Sequence, residues 1–158
     1  MRIQLLSRPI HLLAALAFAL VIGGCSSPDP LSPEQAVRTT LEQLEVAAES
    51  RSLSAFMEHV SEDYQDHKGY TWEDIQRLVQ FEYIRNQSIH IFTDIKELQV
   101  NGDIATVELN AAMASRASDL EDVAGRLKAD THSLSLVLKQ TEPQTWKVES
   151  VSWQRGWR

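Results

Sequence analysis

From Pro33 onward, apolar residues recur first with a helical period and then with a strand period. Val37, Leu41, Leu44 and Ala48 fall at three- and four-residue spacing, which predicts one helix with a single buried stripe. Ser32-Pro33-Glu34-Gln35 supplies its start: a capping serine, a proline suited to the first turn and a glutamine that completes a capping box. Leu53, Phe56, Met57 and Val60 repeat the pattern over a shorter stretch. Thr71-Trp72-Glu73-Asp74 is a second box-like start, with Asp74 in the reciprocal position, and opens a helix expected to run to about Asn86.

After Ser88 the period drops to two. Ile89, Ile91 and Ile95 share a parity, as do Ala105, Val107, Leu109, Ala111 and Met113. Between these runs lies Val100-Asn101-Gly102-Asp103. A two-residue Asn-Gly turn would pair Ile95 with Glu108 and Ile91 with Ala112, setting isoleucines against a polar face. A three-residue loop, Val100 to Gly102, pairs Ile95 with Val107, Ile91 with Ala111 and Ile89 with Met113. It is the expected register because one face becomes apolar throughout. A third strand follows at about Ala129 to Gln140, with Leu134, Leu136 and Leu138 inward. Glu142-Pro143-Gln144 turns the chain into a last strand, Trp146 to Trp157. There the apolar parity shifts from Trp146 and Val148 to Val151 and Trp153, which predicts a bulge near Glu149-Ser150. Three helices followed by about four antiparallel strands is an α+β order, not βαβ repetition.

Composition changes the picture mainly at the N-terminus. The chain has 158 residues, a formal charge of −7 and a single cysteine, Cys25, so it holds no internal disulfide and no cysteine-based zinc cluster. An excess of acids over bases argues against nucleic acid as a partner. Before Cys25 come Arg2 and Arg8, no acid, and the unbroken apolar run Leu12 to Ile22. As a helix that run would span about 16 Å, well short of a ~30 Å bilayer core. It fits the core of a signal peptide. Ile22-Gly23-Gly24-Cys25 closes the segment and resembles a bacterial lipobox.

That resemblance implies cleavage before Cys25, acyl chains on its thiol and its new N-terminus, and membrane attachment through lipid. Ser26 in place of an aspartate implies, by likeness to Gram-negative lipoproteins, the periplasmic face of the outer membrane. The expected organisation is a signal peptide over 1–24, a lipidated cysteine and tether over 25–32, and one domain over 33–158. The mature chain would have 134 residues and a charge of −9, so lipid and not a basic patch would hold it at an anionic surface.

The early helices, the segment HVSEDYQDHKG (59–69), the helix from Trp72, DIATVELNAAM (103–113) and WKVESVSW (146–153) together resemble the NTF2-like, or SnoaL-like, superfamily as found in bacterial lipoproteins. The likeness spans roughly Pro33 to Trp157. It implies a curved sheet wrapped around a long helix, with a pocket at the open end. The superfamily includes isomerases, dehydratases, cyclases and non-catalytic binders, so the fold fixes no activity. Its members often dimerise through the outer sheet face, which admits a homodimer here.

Candidate chemistry comes from polar residues on apolar faces. On the Trp72 helix, Trp72, Ile75, Leu78, Val79 and Tyr83 define an apolar arc; Glu82 falls inside it and Asn86 shares the side. A carboxylate facing a cone interior could act as a base or acid, and the competing reading is a structural glutamate at the rim. Asp130 and His132 share the parity of the inward leucines and could form an oriented acid/base pair or a satisfied polar edge. Asp63, Tyr64, Asp66 and His67 follow the second helix, with His59 eight residues before His67. Their spacing matches no strong metal motif, and turn roles for the aspartates with a packed Tyr64 account for them better. His90 has the outward parity. Trp146 and Trp153 differ in parity, which would put them on opposite faces; an outward tryptophan would mark a partner surface, and core packing is the commoner role.

No phosphate-cradling glycine loop, G-x-S-x-G element or nucleotide fingerprint is present, and no cofactor is expected. The expected function is a lipid-anchored envelope protein whose cone binds a small apolar ligand or a protein partner. The alternative is a small acid/base enzyme using Glu82 or the Asp130–His132 pair.

Overall fold

The computed structural model describes residues 30–114 and 132–155. Cys25, Asp130 and Trp157, and with them the lipidation site, half of the proposed acid/base pair and the last tryptophan, lie outside the described residues. Three helices come first: α1 (Pro33–Glu49), α2 (Leu53–Glu58) and α3 (Trp72–Arg85). Four strands follow: β1 (His90–Asn101), β2 (Ile104–Ala114), β3 (His132–Glu142) and β4 (Thr145–Arg155). They form one antiparallel sheet in the order β1-β2-β3-β4.

The helix starts are those expected. Ser32 accepts from the Gln35 backbone N–H, and Gln35 returns the bond to the Ser32 N–H. At α3 the Asp74 carboxylate accepts from the Thr71 N–H at 3.0 Å. That bond, with Arg77 beside it, holds the Asp74 carboxyl below the usual range.

The first hairpin corrects the expected register. Asn101 pairs with Ile104, so the turn is the two-residue Gly102-Asp103, and Ile95 meets Leu109 where Val107 was expected. Gly102 stands at φ +64°, the conformation that the first central position of a II′ turn demands and that glycine adopts without a Cβ penalty. Apolar facing is rescued further along. A bulge between Ile95 and Glu97 flips the parity of β1, so Ile91 and Ile95 share a face with Leu98 and Val100. The bulge expected in β4 is present: Val137 pairs with Ser150 and Leu138 with Val148, leaving Glu149 unpaired.

That bulge corrects the reading of the tryptophans. It absorbs the parity change, so Trp146 lies in the core and Trp153 packs on the same concave face. Ala105, Val107, Leu136, Leu138, Trp146 and Val148 meet Val37 and Leu41 of α1 there, all of them buried. Each such side chain contributes roughly 1.5–3 kcal/mol relative to exposure.

One edge of the sheet is covered by irregular chain. The Ser61 N–H donates to Val148 O, the Val148 N–H to His59 O and the Gln65 N–H to Glu149 O. Residues 59–65 are thereby laid along β4, satisfying edge groups that would otherwise stand open. This positions Tyr64 over the concave face.

Candidate functional site

The concave face leaves a cavity of about 280 Å3 between the helices and the β3–β4 half of the sheet. Leu44 of α1, Phe56 of α2 and Ile75 of α3 close one side, and Leu134, Leu136, Val148, Val151 and Trp153 form the sheet side. Val60 and Tyr64 enter from the segment along β4. The volume is at the small end of ligand sites. Among the described residues, no carboxylate or imidazole lines it.

Tyr64 is 4% exposed. Burial, followed by the negative charge of Asp66, pushes its phenol up to about 12, against a weaker opposing pull from the Val151 backbone N–H. Asp66 is itself buried, yet it is a structural carboxylate. Its Oδ1 accepts from the Lys68 N–H at 2.8 Å and the Tyr70 N–H at 3.0 Å, while its backbone N–H donates to Tyr70 O. Its Oδ2 is buried with no conventional hydrogen bond. Asp66 thus closes a small loop whose tip carries His67, Lys68 and Gly69, the last at φ +83°. The loop folds back on the cavity wall: the His67 ring meets Trp153 edge-on at 5.5 Å, and the Lys68 ammonium lies 3.9 Å from the Trp153 ring centre.

The other described candidates are not gathered at this cavity. Glu82 is partly exposed and engaged at the surface: Asn86 Nδ2 donates to its Oε2 at 2.8 Å, and Arg85 stands 3.8 Å from its Oε1. Asn86 also caps the helix end through Glu82 O. Tyr83 is buried but turns away from the cavity, donating to Ala47 O at 3.3 Å. Burial raises its phenol, with the nearby Arg51 opposing. Leu78 leaves the expected inner arc and is exposed, in one stripe with Phe81 and Ile84. α3 docks through Trp72, Ile75 and Tyr83, and Leu78 lies at the margin of that face, turned to solvent.

His132 lies at the start of β3, paired with Ala111 and Arg155 and two residues before the cavity-lining Leu134. Its Nδ1 is buried without a hydrogen-bond partner. His59 caps the end of α2, where burial lowers its pKa. Among the described residues no group of three or more His, Cys, Asp or Glu side chains converges as a metal site.

Of the described residues singled out in the sequence for the pocket, Tyr64 lines the cavity and Glu82, Tyr83, Asn86 and His132 do not; the rest of the described wall is apolar residues at core positions together with Trp153. The loop tip at Trp153 was the missed part. Its signal was the aspartate two residues before Lys68, a spacing that staples a turn.

No protein-family model and no curated protein matches the sequence. Solved structures do match. A Bdellovibrio bacteriovorus protein, Bd1075, superposes with a TM-score of 0.62 at 10% identity over 78% of this chain, which spans only 40% of that protein. A Nostoc punctiforme domain of unknown function with a cystatin-like fold gives 0.60 at 16% identity, covering 80% of this chain and 78% of that one. An NTF2-like protein of unknown function from Shewanella oneidensis gives 0.57 at 15% identity, covering 77% and 98%. At these identities the likeness fixes the fold alone: an NTF2-like cone, three helices against a curved four-stranded antiparallel sheet.

Proposed function

We propose that this chain is a SnoaL-like lipoprotein of the cell envelope, anchored through acyl chains on Cys25, whose cone binds a small apolar ligand without transforming it. The observation that carries the binding reading is the apolar cavity walled by Leu44, Phe56, Ile75, Leu134, Val151 and Trp153. An apolar cavity with a preformed wall gains free energy by taking up an apolar body, because apolar surface on both sides is removed from water. The anchor rests on the order of basic start, apolar run and Gly-Gly-Cys. The outer-membrane location rests on Ser26.

The acid/base alternative requires a carboxylate or imidazole within hydrogen-bond reach of a ligand. It draws no support from Glu82, which is engaged with Asn86 and Arg85. The experiment for the binding reading is mass spectrometry of small molecules extracted from residues 26–158 after production in a bacterial periplasm. A stoichiometric apolar compound is expected. Recovery of none, together with failure of apolar probes to bind, would overturn the reading.

A second reading, self-association, has its own observation. Leu78, Phe81 and Ile84 form an exposed apolar stripe on α3. A second copy packed there would bury it. Sedimentation velocity should then show a dimer that Phe81→Lys dissociates, and a wild-type monomer at high concentration would refute it.

A further inference from the structure

The basic tip at Trp153 goes beyond an apolar cavity. We infer that the site reads a headgroup as well as a tail: its ligand is a short amphiphile whose acidic head rests at His67 and Lys68 while its apolar body fills the cavity behind Trp153. This rests on the binding reading above and specifies the ligand class for it.

The argument begins with Trp153, which is a wall shared by two environments. The cavity lined by Leu134 and Val151 includes its side chain, and the Lys68 ammonium and the His67 edge touch the same ring. A lysine is ordinarily a free, strongly hydrated charge on a flexible stem. Here the backbone beneath it is fixed, because the Asp66 carboxylate takes the N–H groups of Lys68 and Tyr70, and the Gly69 N–H closes on Asp66 O. The side chain thus starts from a fixed backbone, and the Trp153 ring gives its ammonium a resting place beside the apolar site, which lowers the entropy cost of using it. A cation placed over an aromatic face keeps its remaining N–H donors for an anion.

The charge setting makes the placement informative. The mature chain would carry −9, and Glu62 and Asp63 are exposed on the same stretch. Long-range attraction does not bring an anion here, so any preference for one must be short-ranged and local to Lys68 and His67. The Asp66 carboxylate does not cancel it outright, being turned to backbone N–H groups through Oδ1. Size sets the tail. A cavity of about 280 Å3 holds on the order of nine water-sized groups at ~30 Å3 each. That suits a medium-chain acyl tail.

Calorimetric titration of residues 26–158 with octanoate, 1-octanol and octylammonium tests this, because the three share a tail and differ in head. Octanoate should bind about fivefold tighter than octanol, the size of an exposed charge pair, and octylammonium should be weakest. Lys68→Met should remove the advantage of octanoate over octanol. Equal binding of octanoate and octanol by the wild type would overturn the headgroup inference while leaving the apolar site standing. Tightest binding of octylammonium would overturn it in favour of a cation site. Failure of all three to bind would remove the underlying binding reading.

Discussion

Tyr64 offers a sharp test of how the cavity wall is built. Its phenol titrates near 10 in an unfolded chain and is pushed up to about 12 in the fold. Between those values the unfolded chain has released the proton and the folded chain has kept it, so stability falls as pH rises. The contribution is fully present below pH 10 and is lost through pH 12. The gap corresponds to about 2–3 kcal/mol, and solvent screening trims it little because the residue is 4% exposed. Urea unfolding followed by tryptophan fluorescence at pH 9, 10, 11 and 12 measures it. The readout is the difference from Tyr64→Phe, which has no proton to lose. The wild type should lose about 2 kcal/mol more than the variant across that window. At pH 8 the two should lie within about 1 kcal/mol, the scale of one phenol hydrogen bond. Parallel loss in both proteins would mean that Tyr64 is solvated, and the description of this wall would be wrong.

Three further outcomes are expected. Asp66→Ala should cost about 2 kcal/mol, since two backbone N–H groups lose a charged acceptor, and should loosen the His67-Lys68 tip; thermal unfolding and the Trp153 emission check both. Glu82→Gln should leave stability within about 0.5 kcal/mol and ligand affinity unchanged, since Glu82 is at the surface of α3; a tenfold loss of ligand affinity would return Glu82 to the site. Cys25→Ser should abolish incorporation of labelled palmitate, and persistence of label would refute the lipobox assignment.

The helices were legible because their starts are local. Ser32 with Gln35 and Thr71 with Asp74 announce themselves within four residues, and both boxes are formed. The β4 bulge was legible for a similar reason: apolar parity breaks at Glu149, and pairing breaks with it. The first hairpin was misread because its turn and its bulge were sought in one place. The turn falls at Gly102-Asp103, and the bulge lies several residues away between Ile95 and Glu97. A parity break from Ile91 and Ile95 to Leu98 and Val100 was present in the sequence and marks it.

The site was less legible than the fold. Glu82 lies inside the apolar arc on a helical wheel, but a wheel does not say how a helix tilts on its neighbours. In the structure α3 docks through Trp72, Ile75 and Tyr83, leaving Leu78 exposed and Glu82 half out. The cavity is harder still. Leu44, Phe56, Ile75, Leu134 and Val151 are apolar residues at inward positions, and nothing in their identity tells a filled core from a hollow one. That difference depends on how far a curved sheet stands off its helices.

The hollow is therefore the point to measure. Titration of residues 26–158 with an apolar fluorescent probe, in the wild type and in Leu134→Trp, addresses it directly, because the larger ring enters the space that Leu134 borders. Saturable one-to-one binding to the wild type, lost in a folded Leu134→Trp protein, is the expected result. Absence of saturable binding, or equal binding by the filled variant, would contradict the cavity as the ligand site.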